Sequence, residues 1–532
     1  MPDLVLFNGA IWTQHPTQPQ ARALAVRAGR ILAVGDDAEI RALAGPRTEV
    51  IDLHGARVLP GLTDAHCHFA MWALAQQQLD LTRVISLAAV QHLLAEAAAT
   101  AQPGQWLQGQ GWNESTWPDA RLPDRHDLDA AAPDHPVILW RSDLHLAAVN
   151  SVALHLAAID RHTPNPPAGL IDRDLHGEPT GVLRDHAIGL VQAVIPAPSA
   201  ADVDAALRAA MKQAHRLGLT GIHDFRIGAA AESRAAWHTW QRLHAAGQLS
   251  LRVWLMLDGS LLDEAIALGL RSGFGDDWLR VGGVKYFADG SLGARTAWML
   301  EPYRDGGVGL AVTPPAELVA AIRRADAAGL TTAIHAIGDR AIRQLLNAFS
   351  EALPEGLARG CTLPHRIEHV QHSTAQDLAR LGRLGLAASM QPLHMADDLA
   401  LVEQALGSRG QWSYAWRALL DGGALLAFGS DCPVASPNPF LGIHAAVTRQ
   451  RSDGSPPGGW HLQQRLSVAE AVAAYTSGPA QLTGQGAQQG SLAAGKLADL
   501  VVLDRDIFAV PAQEIATTQV TMTMVAGKVM VW

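Results

Sequence analysis

Hydrophobic and polar positions alternate through the first sixty residues, in DLVLFNGAIWT, ALAVRAGRILAVG and TEVIDLHGARVLPG, with glycine punctuating the runs. Such period-two patterning predicts short β-strands. The last fifty residues repeat the pattern in KLADLVVLD and TQVTMTMVAGKVMVW. Two β-rich ends around a different middle predict one small β-sandwich built from both termini, residues 1–58 and 483–532. In the middle, strand-like runs alternate with stretches of helical periodicity, which predicts a parallel sheet with crossover helices. Strands are expected near 59–66, 219–223, 251–256, 281–287, 331–335, 365–369, 386–390 and 424–429. A helix is expected over about 315–328, and another from Ser467, where S-V-A-E spells a capping box. Eight strands of this kind make an α/β fold, a (β/α)8 TIM-like barrel over residues 59–482. The stretch from about 70 to 215 exceeds any crossover loop. With its own strand-like runs, QWLQGQGW and PVILW, it reads as an inserted subdomain after the first barrel strand, covering the barrel mouth.

Composition narrows the function classes. Of 532 residues, 48% are hydrophobic and 17% charged, enough to bury a sizeable core. A net charge of -10 without a Lys/Arg stripe speaks against a nucleic-acid partner and gives no support to a membrane surface. Three cysteines, Cys67, Cys361 and Cys432, make no disulfide framework, and a reducing cytoplasm is expected. The start, MPDLVLFNGAIW, has no signal-peptide pattern, and no apolar run approaches a membrane span. Only four of the 41 basic residues are lysines: Lys212, Lys285, Lys496 and Lys528. Lys285 sits in the apolar run LRVGGVKYFADG, where a reason specific to an amine is expected.

The strongest local chemistry is Thr63-Asp64-Ala65-His66-Cys67-His68. On a strand, His66 and His68 face one side and Cys67 the other, so two imidazoles can grip one cation. Barrel active sites lie at the carboxyl ends of the strands. His66 and His68 close the first expected strand, Lys285 lies at the end of the fourth, His335 the fifth, His369 the sixth and Asp431 the eighth. All of these residues fall on one rim.

At this point the motif series resembles a known family. PGLTDAHCH, VKYFADGSLGARTAW, AIHAIGDRA, HRIEH, SMQP, LLAFGSDCPV and GSLAAGKLADLVVLD are similar, in order, to the motifs of the amidohydrolase superfamily. The match is to its YtcJ-like branch, amidohydrolase family 3, which includes N-substituted formamide deformylases. The resemblance implies a divalent-metal centre, zinc first, of one or two ions. His66 and His68 match its first ligand pair, His335 and His369 the ligands of a second ion, and Asp431 a ligand of the first. Lys285 matches a lysine that in many relatives is N6-carboxylated and bridges the two ions; the alternative is a buried lysine paired with Asp289. Such a centre activates water near neutral pH. Asp431 would take its proton and return it to the departing amine, and a second cation or a nearby imidazole would polarise the carbonyl oxygen. Asp431 and His335 are therefore the expected catalytic residues. His145, in RSDLHLAAVNSVAL, resembles a family histidine reaching toward substrate. Arg295, Gln391, His394 and Trp112 are expected to line the pocket, whose tryptophan-rich surroundings suggest a small apolar amide-type substrate. His223 and Asp224 are expected to make structural hydrogen bonds, and His365 and His372 to support the ligands. Deaminase, esterase or lactonase and isomerase chemistry on the same barrel, or a scaffold without metal, are the alternatives. Oligomeric state stays open, a homodimer included.

Overall fold

In a computed structural model of the chain, which describes residues 1–228, 231–354 and 359–532, eight parallel strands form one sheet in sequential order. They are β1 (Leu62–Cys67), β2 (Leu219–Ile227), β3 (Arg252–Asp258), β4 (Leu279–Phe287), β5 (Thr331–Ala336), β6 (Arg366–His369), β7 (Ala387–Met390) and β8 (Leu425–Phe428). All eight expected runs are strands, and their near-continuous burial fits a parallel sheet covered by helices. The helix Asp339–Ala352 shows how the cover works. Ile342, Leu345, Leu346 and Phe349 recur at three- and four-residue spacing and are buried against the barrel. The seam between β1 and β8 is bridged by the loop after β8: Asp431 N donates to His66 O at 2.6 Å, and His68 N to Cys432 O at 2.8 Å. Gly429 permits that approach, since a Cβ there would lie 2.4 Å from His66 N.

The run expected as one strand over 59–66 is two. Arg57–Pro60 pairs antiparallel with Leu500–Leu503, while β1 begins after Gly61. A Cβ on Gly61 would meet Thr220 Oγ1 at 2.3 Å, so glycine lets the chain leave one sheet for the other. Both termini contribute to a pair of sheets. Arg30–Gly35, Ala23–Arg27, Leu4–Phe7 and Glu49–Asp52 form one. Lys528–Val531, Val520–Val525, Leu500–Leu503, Arg57–Pro60, Ala10–Trp12 and Gln20–Ala21 form the other. Leu4, Leu6, Leu24 and Val26 pack on Val58, Leu500, Val502 and Met524 between them.

Between β1 and β2 lies a six-stranded mixed sheet, in the order Gly169–Arg173, Pro179–Asp185, Leu146–Val149, Val137–Arg141, Leu107–Trp112 and Leu79–Asp80. Each face has its own apolar cluster, one around Trp112, Leu139 and Leu94, the other around Ile138, Val149 and Leu183. The helix Ala200–Arg216, which the sequence reading leaves inside the insert, packs on the barrel through Val203, Leu207, Ala210 and Met211. It is the crossover helix leading into β2. No helix among the described residues is long and apolar enough to cross a membrane, and all three cysteines are free and buried.

The expected capping box is present. Glu470 N donates to Ser467 Oγ at 3.3 Å and Ser467 N to the Glu470 carboxylate at 2.8 Å, opening the helix Val468–Tyr475. Ser467→Ala should cost about 1 kcal/mol of stability, read as a lower midpoint in denaturant. An unchanged midpoint would mean that the cap is redundant with the packing of Ala471 and Val472.

Candidate metal centre

Period-two alternation on β1 turns His66 into the barrel mouth, and the bend after Cys67 brings His68 beside it. Asp431 reaches them from the far side of the seam. His68 Nε2 lies 3.2 Å and His66 Nε2 3.4 Å from Asp431 Oδ1, and His369 Nδ1 3.9 Å from Asp431 Oδ2. The rings of His335 and His369 stand 4.5 Å apart, centroid to centroid, and those of His66 and His369 5.1 Å. His66, Lys285, His335, His369 and Asp431 are all buried. Two of the six hold left-handed backbone, His369 at φ 74° and Asp431 at φ 58°. Such conformations cost on the order of 1–3 kcal/mol and gather at functional sites. For His369 the benefit is visible: on a regular strand it would face opposite Glu368, and the turn at its own φ lets both consecutive side chains serve the mouth.

Hydrogen bonds fix the imidazole tautomers. His335 Nε2 lies 3.0 Å from Gly290 O, which can only accept, so the proton is on Nε2 and Nδ1 is bare. His369 Nδ1 donates to Gln391 Oε1 at 2.8 Å, leaving Nε2 bare. His66 Nδ1 donates to Glu368 Oε2 at 2.5 Å, and His66 Nε2 is buried without a hydrogen-bond partner, as is His68 Nδ1. Burial holds His66, His335 and His369 below their ordinary pKa, His66 at about 4 with the Lys285 charge assisting, and so keeps these three neutral. Neutral rings with the outer nitrogen protonated and the inner lone pair free are the arrangement metal-ligating histidines adopt. Buried polar atoms without a partner are costly in a finished interior. The ring set therefore fits a divalent cation. For Asp431, burial acts to raise the pKa, but its interactions with His66, the hydrogen bond from His68 and the neighbouring His369 prevail and hold the carboxyl well below its ordinary value.

Behind His66 lies a charged knot that sequence reading missed. Arg366 and Glu368 alternate inward on β6. Arg366 clasps Glu368 through Nε and Nη2, and also reaches Ala65 O at 2.7 Å, His223 Nδ1 at 3.0 Å and Ser389 Oγ. One guanidinium thus ties β1, β2, β6 and β7 together. Burial alone would raise the Glu368 pKa; Arg366 and His66 overcome it and keep the carboxylate ionised. The signal was legible: two charges at i and i+2 on a barrel strand have to be buried, and therefore paired.

Lys285 has no hydrogen bond or ion pair to a described residue. Its Nζ stands 5.1 Å over the Phe225 ring and 4.9 Å over the Phe287 ring. Burial pushes its pKa down to about 8, against the pull of Glu368 and Asp431. The alternative partner, Asp289, accepts instead from the backbone N–H groups of Ile337, Gly338 and Trp298 at 2.8–2.9 Å. As the sequence suggested, Asp224 makes structural bonds, accepting from Phe69 N and Trp240 Nε1. His365 bonds Thr332 and Asp326, and His372 bonds Ser413; the rings of His66, His369 and His335 are held by Glu368, Gln391 and Gly290 instead.

A cavity of about 560 Å³, mouth included, opens over the cluster and is lined in part by His145, His335, His369, His394 and Asp431. His145 comes from the insert, its Nδ1 2.6 Å from Asp185 Oδ1, its ring 5.4 Å from that of His335. The ring of His394 stacks 6.1 Å from that of His369. Three expected lining residues lie elsewhere, Gln391 among them, buried as the acceptor of the His369 Nδ1 hydrogen bond. Arg295 pairs with Asp305 at 2.9 Å and Leu292 O at 2.9 Å. Trp112 is wholly buried in the insert's own core, its Nε1 bonded to Leu139 O at 3.1 Å. None of the tryptophans expected to give the pocket an apolar character (Trp106, Trp112, Trp117, Trp298, Trp412 and Trp416) lines the cavity; among the described residues the sizeable apolar side chains there are Leu292, Ile337 and Val434. The expected apolar lining is therefore corrected to a polar one, because the tryptophans fill cores. Asn113, Arg141, Asp143, Asp397 and Asp398, unnoticed in the sequence, line it instead.

A model described as the amidohydrolase family matches residues 49–531. The chain is 34% identical over 529 residues to the putative amidohydrolase YtcJ of Bacillus subtilis, spanning 99% of this chain and 98% of that one. It is 30% identical to an N-substituted formamide deformylase of Arthrobacter pascens, with coverage of 99% and 98%. Among solved structures, an uncharacterized metal-dependent hydrolase from Pyrococcus furiosus superposes with a TM-score of 0.73 at 30% identity, covering 95% of this chain and 99% of that one.

Proposed function

The chain belongs to the amidohydrolase family, and from that premise we propose that it is a metal-dependent hydrolase cleaving the carbon–nitrogen bond of a small, non-peptide amide. The observation that carries this reading is the buried, partnerless His66 Nε2 beside Asp431 Oδ1, with His68 Nε2 3.2 Å from the same oxygen. His66, His68 and Asp431 would hold one cation, and His335 and His369 a second. A divalent cation held there, zinc by the chemistry of imidazole and carboxylate donors, supplies Lewis acidity to acidify a water and polarise a carbonyl.

The remaining steps belong to the chain's own groups. Asp431, kept ionised, takes the proton of the attacking water at a carboxylate oxygen and delivers it to the departing nitrogen. His335, whose N–H is engaged by Gly290, serves as a ligand rather than as a hydrogen-bond donor to substrate. Lys285, unpaired and with its amine pKa lowered, has a neutral fraction near pH 7 able to add carbon dioxide. The new N–C bond releases a proton and leaves an anionic carbamate where no carboxylate now answers the amine.

Chelation should abolish turnover, and zinc or manganese should restore it. Amides, esters and amino-heterocycles assayed in parallel with the reloaded protein separate the chemistries. Cleavage of N-substituted formamides with release of formate is the expected result. Turnover of esters or heterocycles alone would overturn the amide reading, and full activity in chelator would overturn the metal.

A further inference from the structure

The cavity carries more carboxyl groups than its own cations pair with. Arg141 is fully engaged: Nε and Nη2 bond Glu114 at 2.8 and 3.2 Å, Nη2 also Asn113 at 3.1 Å, and Nη1 Asp143 at 3.0 Å. His145 is committed to Asp185 through Nδ1. Asp397 and Asp398, on the helix Pro392–Ala405, line the same cavity with no Lys or Arg among the described residues in ion-pair contact with either. Asp398 accepts only from Tyr414 Oη, at 2.6 Å, and Asp397 makes no side-chain hydrogen bond to a described residue.

His394 adds a second, independent observation. It precedes these aspartates by three and four residues, so all three share one helix face. His394 is 7% exposed. Its Nδ1 accepts from Gln371 Nε2 at 3.2 Å, which leaves the proton on Nε2, and Nε2 has no partner. One helix face thus offers a lone N–H donor in the depth of the cavity, beside His369, and two unanswered carboxylates farther out, where Asp397 is exposed.

We propose that the substrate carries a positively charged nitrogen on the amine side of the scissile bond. The acyl oxygen accepts from His394 Nε2, and the cationic end is held by Asp397 and Asp398. This rests on the amide-hydrolase reading. In the reaction, water adds its oxygen to the acyl carbon, the C–N bond breaks and the nitrogen leaves with the proton, so the products are a carboxylate and a diamine. Carboxylates aimed at a cation give charge-assisted hydrogen bonds and steer its approach.

Three isosteric probes test it on the zinc-loaded protein: N-(2-aminoethyl)formamide, N-propylformamide and N-formyl-β-alanine, which are cationic, neutral and anionic. Dissociation constants come from ligand-observed NMR and kcat/KM from formate release. The cation should bind at least about tenfold more tightly than the neutral isostere, and the anion most weakly. The preference should shrink with added salt and approach parity in Asp397→Asn/Asp398→Asn. The exposed single variant Asp397→Asn guards against misfolding of the double and should lose part of the preference. Turnover of the probes with the neutral compound equal or preferred overturns the cationic substrate and leaves the hydrolase standing. The predicted order of affinities without turnover of any probe supports the cation site and counts against the hydrolase. Equal binding, or no binding of the cation, overturns it outright.

Discussion

Asp431→Asn should lower kcat by about 10²–10⁴-fold, the span a positioned acid–base group contributes. Asparagine is the informative replacement. Asp431 sits at φ 58°, a conformation asparagine tolerates and alanine does not, and the amide oxygen can still accept from His68. Backbone and loop should therefore survive, while the group that accepts and returns a proton is gone. Metal content measured beside kcat separates proton transfer from ligation. A variant that holds its metal and keeps more than a tenth of wild-type kcat would remove Asp431 from the chemistry.

The second large effect concerns Glu368. Glu368→Ala leaves the Arg366 guanidinium, 2% exposed, without its carboxylate in the barrel centre. Breaking a buried pair in this way costs about 3–5 kcal/mol, so the denaturation midpoint should fall steeply. Glu368→Gln keeps the shape and an acceptor for His66 Nδ1 but loses the charge that fixes its tautomer. Such supports typically carry about 10–100-fold in metal affinity, which a competitive zinc titration reads directly. Stability within about 1 kcal/mol of wild type for the alanine variant would mean that the knot is solvated in solution. Unchanged zinc affinity for the glutamine variant would mean that His66 is oriented by something else.

The barrel and its rim were legible because both follow from alternation: eight apolar runs of strand length, five of them ending in the residues read as metal-capable. Local chemistry was legible too, as with the S-V-A-E cap. What escaped depended on partners remote in sequence. Glu368 meets His66 across 302 positions, and HRIEH drew the eye to its histidines rather than to the alternating Arg366 and Glu368 between them. The helix Ala200–Arg216 has a spacing equally suited to an insert core or a barrel flank, so only packing could assign it. The tryptophans misled for a physical reason: an aromatic ring serves a core as well as a pocket, and Trp112 went to the insert's core. The polar side chains that do line the cavity come from loop ends and from one helix face, where no periodicity marks them.

Anomalous scattering at the zinc edge, from crystals grown with zinc and bicarbonate, tests the metal centre most directly. The expected result is a zinc peak within bonding distance of His66, His68 and Asp431, with added density on Lys285 Nζ facing it. Zinc bound elsewhere, with His66 Nε2 still without a partner, would contradict it.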